Sequence, residues 1–516
     1  MKNYERKTAA AIDVGTNFVS MMIAEIGPQG IIAPLEDVWK PTQIGRDTFS
    51  NGKIELSSTQ ELCKTLKSFA QLMKDYRVKH YQAVATTGIR EAQNREYVLD
   101  QISRCTGLKV EVINNLQERF YEFKSMRDSI CDLHTMSQDG LLVISLGMGG
   151  TEIFAYKDGS LQFTEYVKIG SLRLRELLAD LERVTLEFPT ILEEFLESKI
   201  YWLDSIRHGT DFQYVIGLGG ELTSILRLGH LNQFTADPHF LERAAMEKVH
   251  TLIKNITPEK IASLYNMHRN EAEILLPSSI IFRRFLNATR AAGIQAPRVS
   301  LRHGLLANMA DERFNTIRKH KYINDIVNSV RRLGRKYGTD EKHSQRVEEL
   351  ALSTFDQMMA IHNLGERERL YLQVACILHD VGKYINADGH ERHSGSVIRA
   401  QQILGFANRE LAIVANIAKY HSQVVPAKWH DNYTSLNRED QIMVSKLAAI
   451  LKIANALNIS DKISIQQIDL EITPTEIVFK VKSKGDFLLE TWSFSAHVDF
   501  FEEVYGLKPV LKHKGG

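Results

Sequence analysis

Two apolar runs in this chain break at a glycine-containing turn and resume at once. Near the start, Ala9-Ala10-Ala11-Ile12 ends in Asp13-Val14-Gly15-Thr16-Asn17 and continues as Phe18 to Ile26. Much later, Leu141-Leu142-Val143-Ile144 ends in Ser145-Leu146-Gly147-Met148-Gly149-Gly150-Thr151-Glu152 and continues as Ile153-Phe154-Ala155-Tyr156. Each reads as strand, tight turn, strand. Glycine removes the Cβ that would hold an anion away from backbone N–H groups, and a nearby hydroxyl adds a side-chain donor. Reversing a hairpin takes only two turn residues, so a glycine-rich loop does more than turn the chain. Two such hairpins facing one another form a jaw for a phosphate chain, and the duplication calls for two related lobes with a cleft between them.

The chain has 516 residues, too many for one core, and a prior of about 150 residues per domain gives three or four domains. Its net charge of +1 argues against a protein that coats nucleic acid, so a polyanion site has to be a local patch. The four cysteines, Cys63, Cys105, Cys131 and Cys376, show no C-x-x-C spacing, which argues against a disulfide framework or a cysteine zinc site. The start, Met1 to Lys7, is charged and runs straight into a strand rather than a signal segment. No apolar run approaches the roughly 20 residues that span a bilayer. A cytoplasmic protein without membrane or nucleic-acid partners is expected.

Strand and helix signals alternate through the first 310 residues, which predicts an α/β class. Ala83 to Thr86 and Val110 to Ile113 read as strands, and Thr59 to Tyr76 and Arg95 to Thr106 as helices. A third turn, Gly217-Leu218-Gly219-Gly220, follows the strand Tyr214-Val215-Ile216 and opens a helix near Glu221. The polar stretch Met126 to Asp139 marks the expected lobe boundary. From about Phe314 to Ser460 amphipathic helical patterns dominate. The basic segment Arg318 to Lys336 reads either as a solvated helix face or as a positive wall that guides a polyanion. Strand character returns at Ile477 to Val481, followed by a helix around Ala496 to Val504. The expected domains are 1–130 and 131–312 (two lobes), 313–462 (helical) and 463–516 (a small α+β piece).

The ordered set Asp13 to Asn17, Ala85 to Ala92, Val112 to Glu118, Gly147 to Glu152, Lys168 to Leu174 and Gly217 to Gly220 resembles the exopolyphosphatase/guanosine-pentaphosphate phosphohydrolase family over nearly the whole chain. The resemblance implies two actin-like, ribonuclease H-like lobes and hydrolysis of a terminal phosphoanhydride by water with Mg²⁺ support. Such a reaction needs positioned water and neutralised phosphate charge more than covalent help from the protein. By the same resemblance Glu118 activates the water, Arg90 binds phosphate, and Asp13 and Glu152 hold the metal. Gly15, Thr16, Asn17, Gly147, Gly149, Gly150, Thr151, Gly217, Gly219 and Gly220 line the phosphate. The substrate implied is inorganic polyphosphate or guanosine penta- or tetraphosphate, and the family often forms a homodimer. This sequence departs from the family pattern at Ser145 (usually aspartate), Met148 (glycine), Gly150 (serine), Glu221 (threonine) and His303 (glutamate).

The helical part carries His343, His379-Asp380, His390, His393, His421 and Asn455. This resembles an HD-type phosphohydrolase domain. The resemblance implies a site for Mg²⁺ or a divalent transition metal built from His343, His379, Asp380, His393, His421 and Asn455, the last standing where aspartate is usual. Two rivals to hydrolysis in the front cleft follow: metal-dependent phosphohydrolysis in the HD-like part with a ligand-sensing front half, or a regulator that binds polyphosphate or alarmone with weakened catalysis. Glu118→Ala and His379→Ala/Asp380→Ala separate the three.

Overall fold

The computed structural model describes residues 6–130, 132–182, 184–185, 187–200, 211–297, 299–460, 465–483 and 488–513. The chain forms two compact units, Met1–Asp325 and Ile326–Gly516. The first holds two sheets. Strands β1 (Lys7–Val14), β2 (Phe18–Ile26), β3 (Ile32–Pro41), β4 (His80–Ala85) and β5 (Val110–Val112) run in the order β3-β2-β1-β4-β5. Strands β6 (Leu141–Leu146), β7 (Thr151–Lys157), β8 (Ser160–Val167), β9 (Tyr214–Leu218), β10 (Phe240–Glu242) and β11 (Gly293–Gln295) run β8-β7-β6-β9-β11-β10. In both, an antiparallel hairpin (β1–β2, β6–β7) lies beside a parallel partner (β4, β9). The duplicated hairpin of the sequence is thus a duplicated sheet topology, that of actin-like lobes.

Strand alternation explains the apolar runs. On β1, Ala10, Ile12 and Val14 enter one core with Leu62, Leu66 and Phe69, while Ala9 and Ala11 enter the opposite core with Leu305, Leu306 and Ala310. Helices cover both faces, so the strand is apolar throughout instead of alternating with polar residues. The helix Leu301–Phe314 follows the second sheet in sequence but packs on β1 and β2 of the first. Burying each of Leu305 and Leu306 contributes about 1.5–3 kcal/mol.

The expected helix Thr59 to Tyr76 is Leu56–Asp75, and Arg95–Thr106 stands as read. The stretch Met126 to Asp139 includes the end of helix Asn115–Ser129 and the helix Leu133–Asp139. The first of these looks polar because it buries charge. Arg119 pairs with Glu152, and Lys124 with Asp311 at 3.0 Å. The basic segment forms part of helix Ile317–Lys336, where Arg318, Lys319, Arg331 and Arg335 pair with Asp311, Glu312, Glu348 and Glu341. These pairs favour the structural reading of that segment over a positive wall.

The second unit packs helices Glu341–Gln357, Glu366–Leu378, His390–Ala400, Asn408–Lys419 and Arg438–Ala456. It ends in a three-stranded sheet of β12 (Ile465–Ile472), β13 (Glu476–Ser483) and β14 (Lys508–His513). Sequence patterning found only β13. The expected terminal helix is two short ones, Leu488–Ser495 and Val498–Tyr505. Among the described residues no helix is long and apolar enough to cross a membrane, and Cys63, Cys105 and Cys376 are free thiols. Cys131 lies outside the described residues.

Candidate active site

The carboxyl ends of β1 and β6 deliver the two glycine turns to one cavity of about 220 Å³. Ligand crevices in open α/β sheets form at such strand ends, where the connections diverge to either side. Asp13, Gly15, Thr16 and Asn17 line it from the first bend; Gly147, Gly149, Gly150 and Glu152 line it from the second, and Gly219 and Gly220 from the third turn. Glu118 joins them from helix Asn115–Ser129, whose N-terminus is fixed by an Asn114/Gln117 capping box. A carboxylate in that first turn is also favoured by the helix dipole.

The glycines are set by close approach. A Cβ on Gly149 would lie 2.4 Å from the Thr87 side chain across the cleft, and one on Gly150 would lie 2.4 Å from the Tyr166 ring. Gly219 sits at φ 122°, a backbone region that side chains avoid.

Three expected phosphate contacts have other tasks. Arg90 does not line the cavity. Its guanidinium donates to Glu118 Oε2 at 2.8 Å, Ile113 O at 2.8 Å and Thr87 Oγ1 at 2.7 Å, which fixes the Glu118 carboxylate. Thr151 donates its hydroxyl to Ile169 O at 2.6 Å, inside the protein. Gly217 lies within β9, where a Cβ would strike Leu222 at 2.3 Å; it is a packing glycine. Gly147 lines the cavity, but its N–H closes the turn on Gly150 O at 2.9 Å.

Carboxylates dominate the floor. Burial, reinforced by Glu118, pushes Asp13 up to about 7 against the pull of Arg302. Burial pushes Glu152 up to about 8, although Arg119 works against it. Glu122, one turn beyond Glu118, is raised well above the ordinary range by burial and by Glu118 and Glu152, while a hydrogen bond from the Ser145 hydroxyl opposes the rise. Burial likewise lifts Glu221 to about 7; it accepts a 2.9 Å hydrogen bond from Ser171. His303 takes no part: its Nδ1 accepts from Ser300 N at 3.1 Å and caps helix Leu301–Phe314, doing at the third helical position what glutamate does in a capping box.

Sequence reading missed Glu122, Tyr166, Thr87 and Ser300 as lining residues. Only Glu122 carried a signal, its i,i+4 spacing from Glu118. Among the described residues, four buried lining atoms find no protein partner: Asp13 Oδ1, Glu122 Oε2, Asn17 Nδ2 and Tyr166 Oη. Two carboxylate acceptors suit a hard cation, and two donors suit phosphate oxygens. The residues present therefore fit a Mg²⁺–phosphate ligand.

The Ppx/GppA phosphatase family model matches residues 22–313. The chain belongs to that family. The model of Ppx/GppA phosphatase domain III matches residues 327–494 of this member. A guanosine-5'-triphosphate,3'-diphosphate pyrophosphatase of Pseudoalteromonas translucida is 21% identical over 490 residues, 94% of this chain and 93% of its own. Exopolyphosphatase 1 of Mycobacterium bovis is 21% identical over 308 residues, 58% of this chain and 87% of its own. The crystal structure of an exopolyphosphatase from Cytophaga hutchinsonii has a TM-score of 0.52 at 18% identity, covering 59% of this chain and 98% of that one; this likeness concerns the fold.

In the second unit of this Ppx/GppA member, His343, His379 and Asp380 form one ligand group, and Asp380, His390 and His421 form another. Asp380 Oδ1 lies 3.2 Å from His390 Nε2 and 3.7 Å from His421 Nε2; Oδ2 lies 3.6 Å from His379 Nε2 and 3.9 Å from His343 Nε2. His393 is in neither group. His390, anchored by Nδ1 to Ala387 O, takes the place expected for it. Asn455 Oδ1 meets His343 Nε2 at 3.2 Å instead of joining as an acid. Backbone carbonyls of Cys376 and Ala418 hold Nδ1 of His379 and His421 at 2.7 Å, so each Nε2 turns inward with its lone pair. Burial pushes Asp380 up, but His379, His390, His421 and Lys383 hold it well below the carboxylate range. His379 and His421 are lowered by burial. Two inward Nε2 atoms, those of His390 and His421, lie 3.2 Å apart.

Proposed function

We propose that this phosphatase hydrolyses the terminal phosphoanhydride of inorganic polyphosphate or guanosine pentaphosphate in the cavity between the two glycine bends. The observation that carries this reading is the convergence of both bends with Glu118 around donors, Asn17 Nδ2 and Tyr166 Oη, that find no acceptor in the protein. Residues 1–130 and 131–312 act as the two jaws. Glu118, held by Arg90, orients the attacking water and takes its proton. Thr16, Asn17 and the loop around Gly149 and Gly150 grip the terminal phosphate. Asp13 and Glu152 would hold Mg²⁺, which supplies charge neutralisation to the phosphate oxygens. The pyrophosphatase relative matches both units, and the exopolyphosphatase relative covers 58% of the chain, so both substrates belong in the assay.

The test is release of inorganic phosphate from long-chain polyphosphate and from guanosine pentaphosphate, with Glu118→Ala alongside. The expected result is turnover with at least one substrate, lost by a factor of about 10²–10⁴ in the variant. Turnover unaffected by the substitution removes Glu118 from the mechanism.

A second reading is favoured by the inward-facing imidazoles of the 313–462 region. His343, His379, Asp380, His390 and His421 bind a divalent transition metal there, with Asn455 as a neutral neighbour, and support a second, HD-like phosphohydrolase centre beside the 463–516 piece. Stoichiometric Mn, Fe, Co, Ni or Zn in protein purified without chelators, lost in His379→Ala/Asp380→Ala, supports it; metal-free protein rejects it. A cytoplasmic homodimer completes the proposal, with sedimentation velocity as its check.

A further inference from the structure

The two bends are topological equivalents, yet they differ in charge. One residue before the end of β1 stands Asp13; one residue before the end of β6 stands Ser145. Ser145 faces Glu152 across the β6–β7 register, so the missing acid is missing at the floor of the cavity. Of the acids that remain there, Glu118 is tied to Arg90 at 2.8 Å and Glu152 to Arg119. Both are therefore partly neutralised before any cation binds.

Helix Asn115–Ser129 brings a further acid to the same place. Glu122 lies four residues beyond Glu118, on the same helix face, and lines the cavity. Ser145 lines the same cavity, close enough to act on the Glu122 carboxyl group. Glu122 Oε2 is buried and among the described residues has no hydrogen-bond partner, a condition it shares with Asp13 Oδ1. A carboxylate oxygen buried in this way is costly unless a cation or donor meets it.

We propose that Glu122 supplies the carboxylate that position 145 lacks and, with Asp13, is a principal anionic ligand of the divalent cation in the front cleft. Ser145, which lines the same cavity, acts as its positioning residue. Glu152, held by Arg119, contributes less charge than its place in the bend implies. This inference rests on the cation-assisted reading of the cleft given above and adds a residue to it.

The experiment is a calorimetric Mg²⁺ titration of the full-length protein, together with the Mg²⁺ dependence of phosphate release. Mg²⁺ is chosen because it prefers oxygen ligands, which keeps the imidazole cluster of the second unit out of the measurement. Wild type is compared with Glu122→Gln, Ser145→Asp and the double variant. Glu122→Gln should weaken Mg²⁺ binding at least tenfold and raise the Mg²⁺ concentration for half-maximal turnover by a similar factor. Ser145→Asp in that background should recover most of the affinity, which a merely structural role for Glu122 would not allow. On its own, Ser145→Asp should give no gain, because two adjacent carboxylates repel. Wild-type affinity in Glu122→Gln overturns this inference while leaving the parent reading intact. A wild type that neither binds Mg²⁺ nor releases phosphate overturns both. If Glu122→Gln lowers the melting temperature and weakens binding but the double variant restores neither, the inference also fails.

Discussion

Gly304→Ala should impair catalysis without touching a lining side chain. Gly304 lies on helix Leu301–Phe314 where that helix crosses the helix bearing Glu118 and Glu122. A Cβ there would lie 1.9 Å from Tyr121 O, whereas ordinary contact begins at 3.4 Å. The shortfall of about 1.5 Å is against backbone, so no rotamer change relieves it. On one side Leu305 and Leu306 are sealed against β1 and β2; on the other, Lys124 is tied to Asn308 at 2.8 Å and to Asp311 at 3.0 Å. The helices must part, and Glu118 sits less than one turn from the point of strain. A misplacement of about 1 Å at a reacting group costs about 10²-fold in rate. Overpacking of this kind also costs about 1–3 kcal/mol of stability. The expected outcome is a kcat for phosphate release about a hundredfold lower with a smaller change in KM, and a melting temperature lower by a few degrees. Gly27→Ala is the control, since a Cβ there meets only ordinary contacts at 3.7 Å. A Gly304→Ala protein with kcat within threefold of wild type and an unchanged melting temperature would refute the claim that this crossing positions Glu118.

Two further outcomes test the electrostatics and shape of the cleft. Glu221 titrates near 7 in the folded chain against an ordinary 4.5, so its contribution to stability is fully present below about 4.5 and is lost as pH rises through 7. The difference in unfolding free energy between Glu221→Gln and wild type, from denaturant melts, should therefore move in favour of the variant from pH 5 to 8.5, by up to about 3 kcal/mol; a flat difference would show that the carboxyl titrates normally. Gly150→Ser should weaken phosphate release because its Cβ collides with the Tyr166 ring at 2.4 Å. Adding Tyr166→Ala should restore the loop and part of the rate, and a double variant as impaired as the single would show that the clash is not the cause.

The architecture was legible because its signal is local and occurs twice. Each apolar run with a glycine bend needs only short-range pattern to be read, and the duplicated topology follows from two such readings. The helix Asn115–Ser129 was harder to read as a core element, for a physical reason. It buries Arg119 and Lys124 against acids more than 30 and more than 180 residues away in sequence, so its inward face looks polar. Thr151 and Gly217 fit a phosphate-loop pattern as letters, but a hydrogen bond to Ile169 and the proximity of Leu222 assign them to packing. The same limit governs His390 and His393: spacing alone admits either, and the anchor of one ring to Ala387 decides.

The departures from the family pattern behave in a related way. Taken singly, Ser145, Gly150 and His303 each remove something the pattern provides. In space each has a neighbour that occupies the lost place. Tyr166 fills the volume over Gly150, and His303 caps Ser300 through its ring nitrogen. Glu122 lines the cavity with Ser145 and, under the inference above, supplies its missing charge. A cleft that had simply lost its activity would have no reason to keep, in the cavity that Asp13 lines, a buried carboxylate oxygen without a hydrogen-bond partner, because such an oxygen lowers stability unless something binds it. The persistence of that cost is the physical argument for a ligand-binding cleft, and Mg²⁺ affinity in Glu122→Gln measures it directly.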